Sequence, residues 1–270
     1  MSQDAGNSIY RELDKEHKRT DELLHVVIPI GVALSTEQDF DRLLEKIILE
    51  ARSFCNADGG TLYLRTPDDH LKFVVMSNAS LNITLGGTHD HDSPFPPLPL
   101  YDAASGEPNN HNVACYVALS GASASIADVY QAEGFNFSGA MDFDRKTGYR
   151  TRSCLAIPLK NSFGRVLGVL QLINAQDPAT GQIIPFDPYL QEMMESFSLL
   201  AAAALEAYNR EQDLKEQIEK LRIEIDEVKR QKLVNEIVDT DFFRDLQAKA
   251  DDMRLGRRQR RARGDKPPEA

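Results

Sequence analysis

Two apolar runs separated by four residues constrain this chain more than any other feature in it. TRSCLAIPLK (151–160) and RVLGVLQLINA (165–175) flank NSFG, which has the length and chemistry of a hairpin loop, with Gly164 supplying a positive φ. Each run is hydrophobic almost without alternation, as central strands covered on both faces are. The pair therefore predicts the middle of a sheet with helices over each side.

The preceding sequence supplies partners for that hairpin. Leu13, His17, Thr20, Leu24 and Val27 mark a weak helical seam over about 8–28, which Pro29 and Gly31 interrupt. After Ser35 or Thr36 as cap, Phe40, Leu43, Leu44, Ile47, Ile48 and Ala51 predict an amphipathic helix to about Cys55. Asp58, Gly59 and Gly60 lead into TLYLR, and LKFVVMS follows the turn Pro67-Asp68-Asp69, giving a second antiparallel hairpin. Residues 86–112 hold most of the prolines and have no periodicity, so they read as a long loop that is either functional or disordered. VACYVALSGASASIADVYQ then reads as a short helix, a turn at Gly121, a strand ending near Ile126 and a helix starting at Asp128.

From Pro188 the pattern stays helical for nearly fifty residues. Met193, Phe197, Leu200, Ala204, Ala207, Glu211, Leu214, Ile218, Leu221, Ile225, Val228, Lys232 and Asn235 follow alternating steps of four and three, which predicts a domain helix continuing into a coiled coil. A homodimer through the terminal helices, in its simplest form a parallel one, is the consequence, with the antiparallel arrangement left open. The expected division is a helix over 1–35, a domain over 36–208, a coiled-coil helix over 209–235, a short docking or capping helix over 236–256 and a basic, disordered tail over 257–270.

A net charge of −11 argues against nucleic acid as a partner of the whole protein, because neutralising phosphates needs a surplus of Lys and Arg on one face. The basic run from Arg254 to Lys266 is the local exception and reads as a solvated tail. Three cysteines in no metal-binding spacing suggest neither a disulfide framework nor a zinc site, and fit a reducing cytoplasm. No membrane span is expected, as no apolar stretch reaches the required length.

Chemistry-bearing residues are sparse. Gln171 is the only polar member of the strand face Leu167, Val169, Gln171 and Ile173, and a buried amide there needs a backbone, water or ligand partner. Asp144, Thr147 and Thr151 gather a carboxylate and two hydroxyls around the turn DFDRKTGYRT; they suit a small polar ligand and are equally ordinary turn and cap residues. His89, Asp90, His91, Asp92 and His111 offer metal donors but lack Cys or an i,i+4 helix pair, so a solvated loop is expected and no metal set is assigned. Phosphate-loop, dinucleotide and hydrolase signatures are missing, and no catalytic residue is assigned.

The stretch FDRKTGYRTRSCLAIPLKNSFGRVLGVLQLINA resembles the second half of the GAF domains of cyclic-nucleotide phosphodiesterases and bacterial adenylyl cyclases. ADGGTLYLR resembles the first strand of that domain, and the resemblance covers about 37–208. It implies an α+β fold, with a six-stranded antiparallel sheet, helices on one side and a ligand pocket on the other. It further implies a purine contacted by backbone at Ile126 and Ala127 and by the side chains of Asp144, Thr147, Thr151 and Gln171. The ligand would be a cyclic nucleotide or another small metabolite, and a separate effector protein would receive the signal. The family's Asn-Lys and Phe-then-Asp-Glu signature reads Asn174, Ala175, Phe186, Leu190 and Gln191 here, so both halves of its ion pair are replaced by apolar residues. PFPPLPLYDAASGEPN could cover the pocket mouth through Phe95, Leu98, Leu100 and Tyr101, or simply anchor a long loop. The alternatives to a sensor are a dimeric scaffold with a vestigial pocket and a GAF-type methionine sulfoxide reductase using Cys115 or Cys154.

Overall fold

A computed structural model describes residues 27–89, 95–238 and 241–262; most of the helix expected over 8–28 lies outside them. In chain order come α1 (Ile28–Ser35), α2 (Phe40–Phe54), β1 (Ala57–Arg65), β2 (His70–Asn78), β3 (Ile83–Gly86), β4 (Leu98–Pro99), α3 (Val113–Ser120), β5 (Ala124–Ile126), α4 (Ser138–Thr147), β6 (Cys154–Lys160), β7 (Val166–Gln176), β8 (Ile183–Ile184), α5 (Pro188–Val238) and α6 (Asp241–Ala262). The sheet runs β3-β2-β1-β7-β6-β5, its strand pairs antiparallel, with β4 and β8 as two-residue additions at β2 and β7. The chain divides into two units at Arg210/Glu211.

Strand parity sorts the first unit into two layers. On one face Leu155, Ile157, Leu170 and Leu172 pack with Leu43, Ile47 and Ile48 of α2 and with Phe197, Ala201 and Leu205 of α5. On the other, Cys154, Ala156 and Val169 pack with Val113, Val117 and Ala118 of α3. The expected one-sided helix layer is thus joined by α3 and α4 on the second face. A bulge sets the alternation of β7: Lys160 pairs with Val166 and Leu159 with Gly168, leaving Leu167 extra. Leu167 therefore joins the α2/α5 layer, while Val166, Val169 and Ile173 face α3. The periodicity argument had placed Leu167 with the latter.

Local chemistry moved several boundaries. The cap of α2 is Asp39, whose carboxylate accepts the Arg42 N–H at 2.9 Å, in place of Ser35 or Thr36. Pro29 stands in the first turn of α1, where a missing N–H costs nothing; the helix it was expected to interrupt lies almost wholly outside the described residues. Gly31 lets α1 approach α5, since a Cβ there would lie 2.7 Å from Leu200 Cδ1. Asp128 starts no helix; its carboxylate accepts the Tyr130 N–H at 2.9 Å in a tight turn, and α4 begins ten residues later. Asp144 and Thr147 sit on α4 rather than in a turn, and Gly148 ends that helix with φ 71°.

In the second unit, α5 residues from Asp213 to Val234 are exposed, and α6 extends through 257–262, where a disordered tail was expected. Arg, Gln and Ala, which make up 257–262, are good helix formers. No helix among the described residues is long and apolar enough to cross a membrane.

One buried network fixes the end of the β6–β7 pair. Asn174 sits at φ 56°. Its amide donates to Tyr149 Oη and to the Arg150 carbonyl, both at 2.8 Å, and its Oδ1 accepts the Arg152 N–H at 2.7 Å. Tyr149 donates to Asp58 Oδ2 at 2.6 Å. Replacing Asn174 with Ala takes this partner from the Arg150 carbonyl and the Arg152 N–H and puts a Cβ-only residue in a left-handed conformation, so Asn174→Ala should lower unfolding free energy by roughly 3 kcal/mol, read by urea denaturation.

Candidate functional site

The described residues line a partly open cavity of about 310 Å³ between the sheet and the N-terminal ends of α3 and α4. Its floor comes from β1, β2, β6 and β7, through Thr61, Tyr63, Phe73, Asn78, Cys154 and Gln171. Gly60 lines it as well, without a side chain to fill it. Phe95, Pro96 and Leu98 form one wall, with Phe95 tilted against Phe73 at a ring separation of 5.3 Å and Tyr63 against Phe73 at 4.6 Å. A further wall is formed by Asn112, Val113, Asn136, Phe137, Gly139 and Ala140.

That last wall has an electrostatic character the side chains alone do not show. Asn112 accepts the backbone N–H groups of Ala114 and Cys115 at 2.9 and 3.2 Å, capping α3. Asn136 accepts the Ser138 N–H at 2.9 Å at the start of α4. Two helix N-termini thus border one cavity, and each contributes a partial positive charge. Among the described lining residues no Lys, Arg, His, Asp or Glu is present. The described part of the lining therefore carries only partial charges, those of its amides, hydroxyls and the two helix N-termini.

The site residues expected from the sequence divide. Thr151 and Gln171 line the cavity. Gln171 Oε1 accepts from Tyr63 Oη at 3.2 Å, and Gln171 also hydrogen-bonds Cys154, so the strand amide has protein partners as well as a cavity-facing position. Thr151 is 5% exposed and donates to Asp144 Oδ1 at 2.8 Å. Asp144 is buried behind it, its carboxylate also accepting from the Thr151 N–H and Tyr130 Oη, each at 2.8 Å. Thr147 is exposed and donates back to the Phe143 carbonyl at 2.8 Å. Ile126 packs in the apolar layer and Ala127 is exposed; neither borders the cavity.

Of the loop residues proposed as a cover, Phe95 and Leu98 line the cavity, Leu100 is buried in the core and Tyr101 is half-exposed beside Pro108. His89 binds Glu45 through Nδ1 at 2.9 Å, while Asp90, His91 and Asp92 lie outside the described residues. Asn78, Asn112 and Asn136 were missed. Asn112 carried a signal as the cap of α3, and Asn136 stands one residue ahead of Phe137, the cap of α4, but nothing in the sequence says that both helices begin at one cavity.

The three cysteines are unpaired and buried. Loss of hydration raises each thiol, Cys115 to about 11 and Cys55 and Cys154 to about 12. Cys154, at the cavity floor, is therefore a neutral thiol.

With this geometry in place, comparison with known proteins is informative. The family model described as "GAF domain" matches residues 39–205. The dual 3',5'-cyclic-AMP and -GMP phosphodiesterase 11A of Takifugu rubripes is 27% identical over 217 residues, covering 77% of this chain and 22% of that protein. The cGMP-specific 3',5'-cyclic phosphodiesterase of Drosophila pseudoobscura pseudoobscura is 29% identical over 168 residues, 61% of this chain and 14% of the relative. The chain thus spans less than a quarter of the length of these curated relatives. The GAF domain of a phosphoenolpyruvate-protein phosphotransferase from Coxiella burnetii superposes with a TM-score of 0.50 at 12% identity, over 71% of this chain and 97% of that one, a likeness of fold. Because the family model spans well over half of the sequence, the chain belongs to the GAF domain family.

Proposed function

We propose that this chain is a regulatory, non-catalytic sensor: a small molecule occupies the sheet-side cavity, and two copies joined through their helices report its presence to a separate effector. The observation that carries this reading is the cavity, whose volume of about 310 Å³ is at the scale of small-molecule sites. A pure scaffold has no need of such a space, and cores close-pack when nothing keeps them open. The exposed apolar seam of α5 supports the dimer, since Leu214, Ile218, Leu221, Ile225 and Val228 are all more than half exposed in the single chain. The unpaired cysteines fit a cytoplasmic setting.

The lining suggests the ligand's parts. Phe73, Phe95 and Phe137 offer surfaces for a flat or apolar body, Gln171 and Asn78 can meet polar edges, and the paired helix N-termini favour an acceptor-rich or anionic group. A cyclic nucleotide has all three, and the relatives' names make it the first candidate, with another acidic metabolite as the alternative. At the positions of the family's ion pair, Ala175 is fully buried and Leu190 packs against the same apolar layer, so no single charge is left without a partner and the fold stands without the pair; its loss weighs for the other acidic metabolite over the cyclic nucleotide.

Native mass spectrometry of the purified protein should show a small-molecule adduct, or one formed on adding cAMP or cGMP. Ala140→Phe, which plugs the cavity from α4, should abolish it while leaving the circular-dichroism spectrum intact. No adduct with either nucleotide or with a panel of acidic metabolites would leave only the dimeric adaptor.

The reductase reading makes an opposite statement about the thiols. Native protein at pH 8 should react with Ellman's reagent at far less than one thiol per chain and with all three only after unfolding. An ordinary thiol titrates near 9.0 and these near 11 to 12, so their contribution to stability is complete below about pH 8.5 and is lost as pH climbs through 9 to 12. Thermal melts should fall across that window, and fast native labelling of Cys115 or Cys154 would revive the enzyme reading.

A further inference from the structure

The dimer reading leaves open which way the two helices run, and the charges flanking the seam of α5 decide it. In the second unit, Leu214, Ile218, Leu221, Ile225 and Val228 are exposed by 58, 51, 56, 52 and 68%. With Ile218 and Ile225 at the a positions and Leu214, Leu221 and Val228 at d, the pattern of β-branched a and leucine-rich d favours two strands. Beyond Val228 the seam positions become Lys232 and Asn235, and the apolar Leu233 and Val234 fall off it. The apolar seam is therefore confined to about 214–228.

The positions beside the seam are unequal in sign. Those at e are Lys215, Arg222 and Lys229; those at g are Gln217, Glu224 and Gln231. In an antiparallel pair e faces e and g faces g, so in every register the cations of one chain meet those of the other, with no acid at e to relieve them. In a parallel pair g faces the e position five residues further along the other chain, which sets Gln217 beside Arg222 and Glu224 beside Lys229. Lys215 and Arg222 are partnered inside the helix, by Glu211 at 2.9 Å and Glu219 at 3.9 Å. Among the described residues Glu224 and Lys229 form no ion pair within the chain.

We propose that α5 pairs with a second copy of this chain as a parallel, in-register, two-stranded coiled coil over Leu214–Val228, with Glu224 facing Lys229 of the partner subunit. This rests on the dimer reading above, and the experiment separates the two. Light scattering on the full chain gives a dimer mass; a monomer overturns both readings, and a trimer or larger assembly overturns the two-stranded coil. Leu214→Cys and Val228→Cys, each alone, cross-link to a dimer under mild oxidation, while the parent chain with its buried cysteines does not. An antiparallel pair keeps the dimer mass but holds each introduced thiol about 15 Å or more from its copy, so absence of cross-linking in both variants overturns the orientation alone. Lys229→Glu weakens the dimer about three- to tenfold, and adding Glu224→Lys restores it. Tightening by Lys229→Glu would point to the antiparallel arrangement and overturn the proposal.

Discussion

The left-handed backbone at Asn174, held by a buried ring of hydrogen bonds, is the constraint on which the rest of the domain depends. This residue ends the stretch of β7 that pairs with β6, and through Arg150, Arg152 and Tyr149 it ties down the segment entering β6. That segment delivers Thr151 to the cavity wall and, through Thr151, fixes Asp144 on α4. Tyr149 reaches across to Asp58 at the start of β1, where Ser80 also donates to the carboxylate, at 2.8 Å. Burial and its hydrogen bond to Asp58 raise the phenol of Tyr149, so it stays a donor at neutral pH. One polar cluster therefore sets the relative positions of β1, β2, β7 and α4, around a space that apolar packing alone would tend to close.

The framework of the fold was legible because its signals are periodic. The continuous apolarity of 154–159 and 166–175 did mark central strands, and the spacing of Leu43, Leu44, Ile47 and Ile48 did mark a helix on the sheet. What escaped reading was decided by single contacts. A bulge opposite Lys160 turned Leu167 to the other layer, and an aspartate side chain turning back on its own backbone at Asp128 replaced a helix start with a turn. The four-three pattern of α5 also carried more than one meaning. Met193, Phe197 and Ala204 spend it on the domain core, whereas from Leu214 the same pattern faces outward.

The candidate site was less legible for a related reason. Residue type along a strand showed that Gln171 was unusual, and the structure gives it both a protein partner and a cavity-facing position. Asp144 and Thr147 were chosen from the turn pattern around them and again from the resemblance, but here the first is consumed in supporting Thr151 and the second in its own helix. The helix N-termini at Asn112 and Asn136 are a property of two distant segments meeting, with about twenty-four residues between them, and no local pattern encodes such a meeting.

The glycine at 168 carries a mechanical consequence. A Cβ at this position would lie 2.2 Å from the carbonyl oxygen of Tyr63, so β1 and β7 are in backbone contact beside the bulge. Strands locked this closely cannot slide past one another without breaking the ladder from Gly59 to Leu64. Any adjustment to a guest would then fall on lining residues outside the sheet, such as Phe95, Pro96, Asn112 and Asn136, while the strands beneath them keep their register.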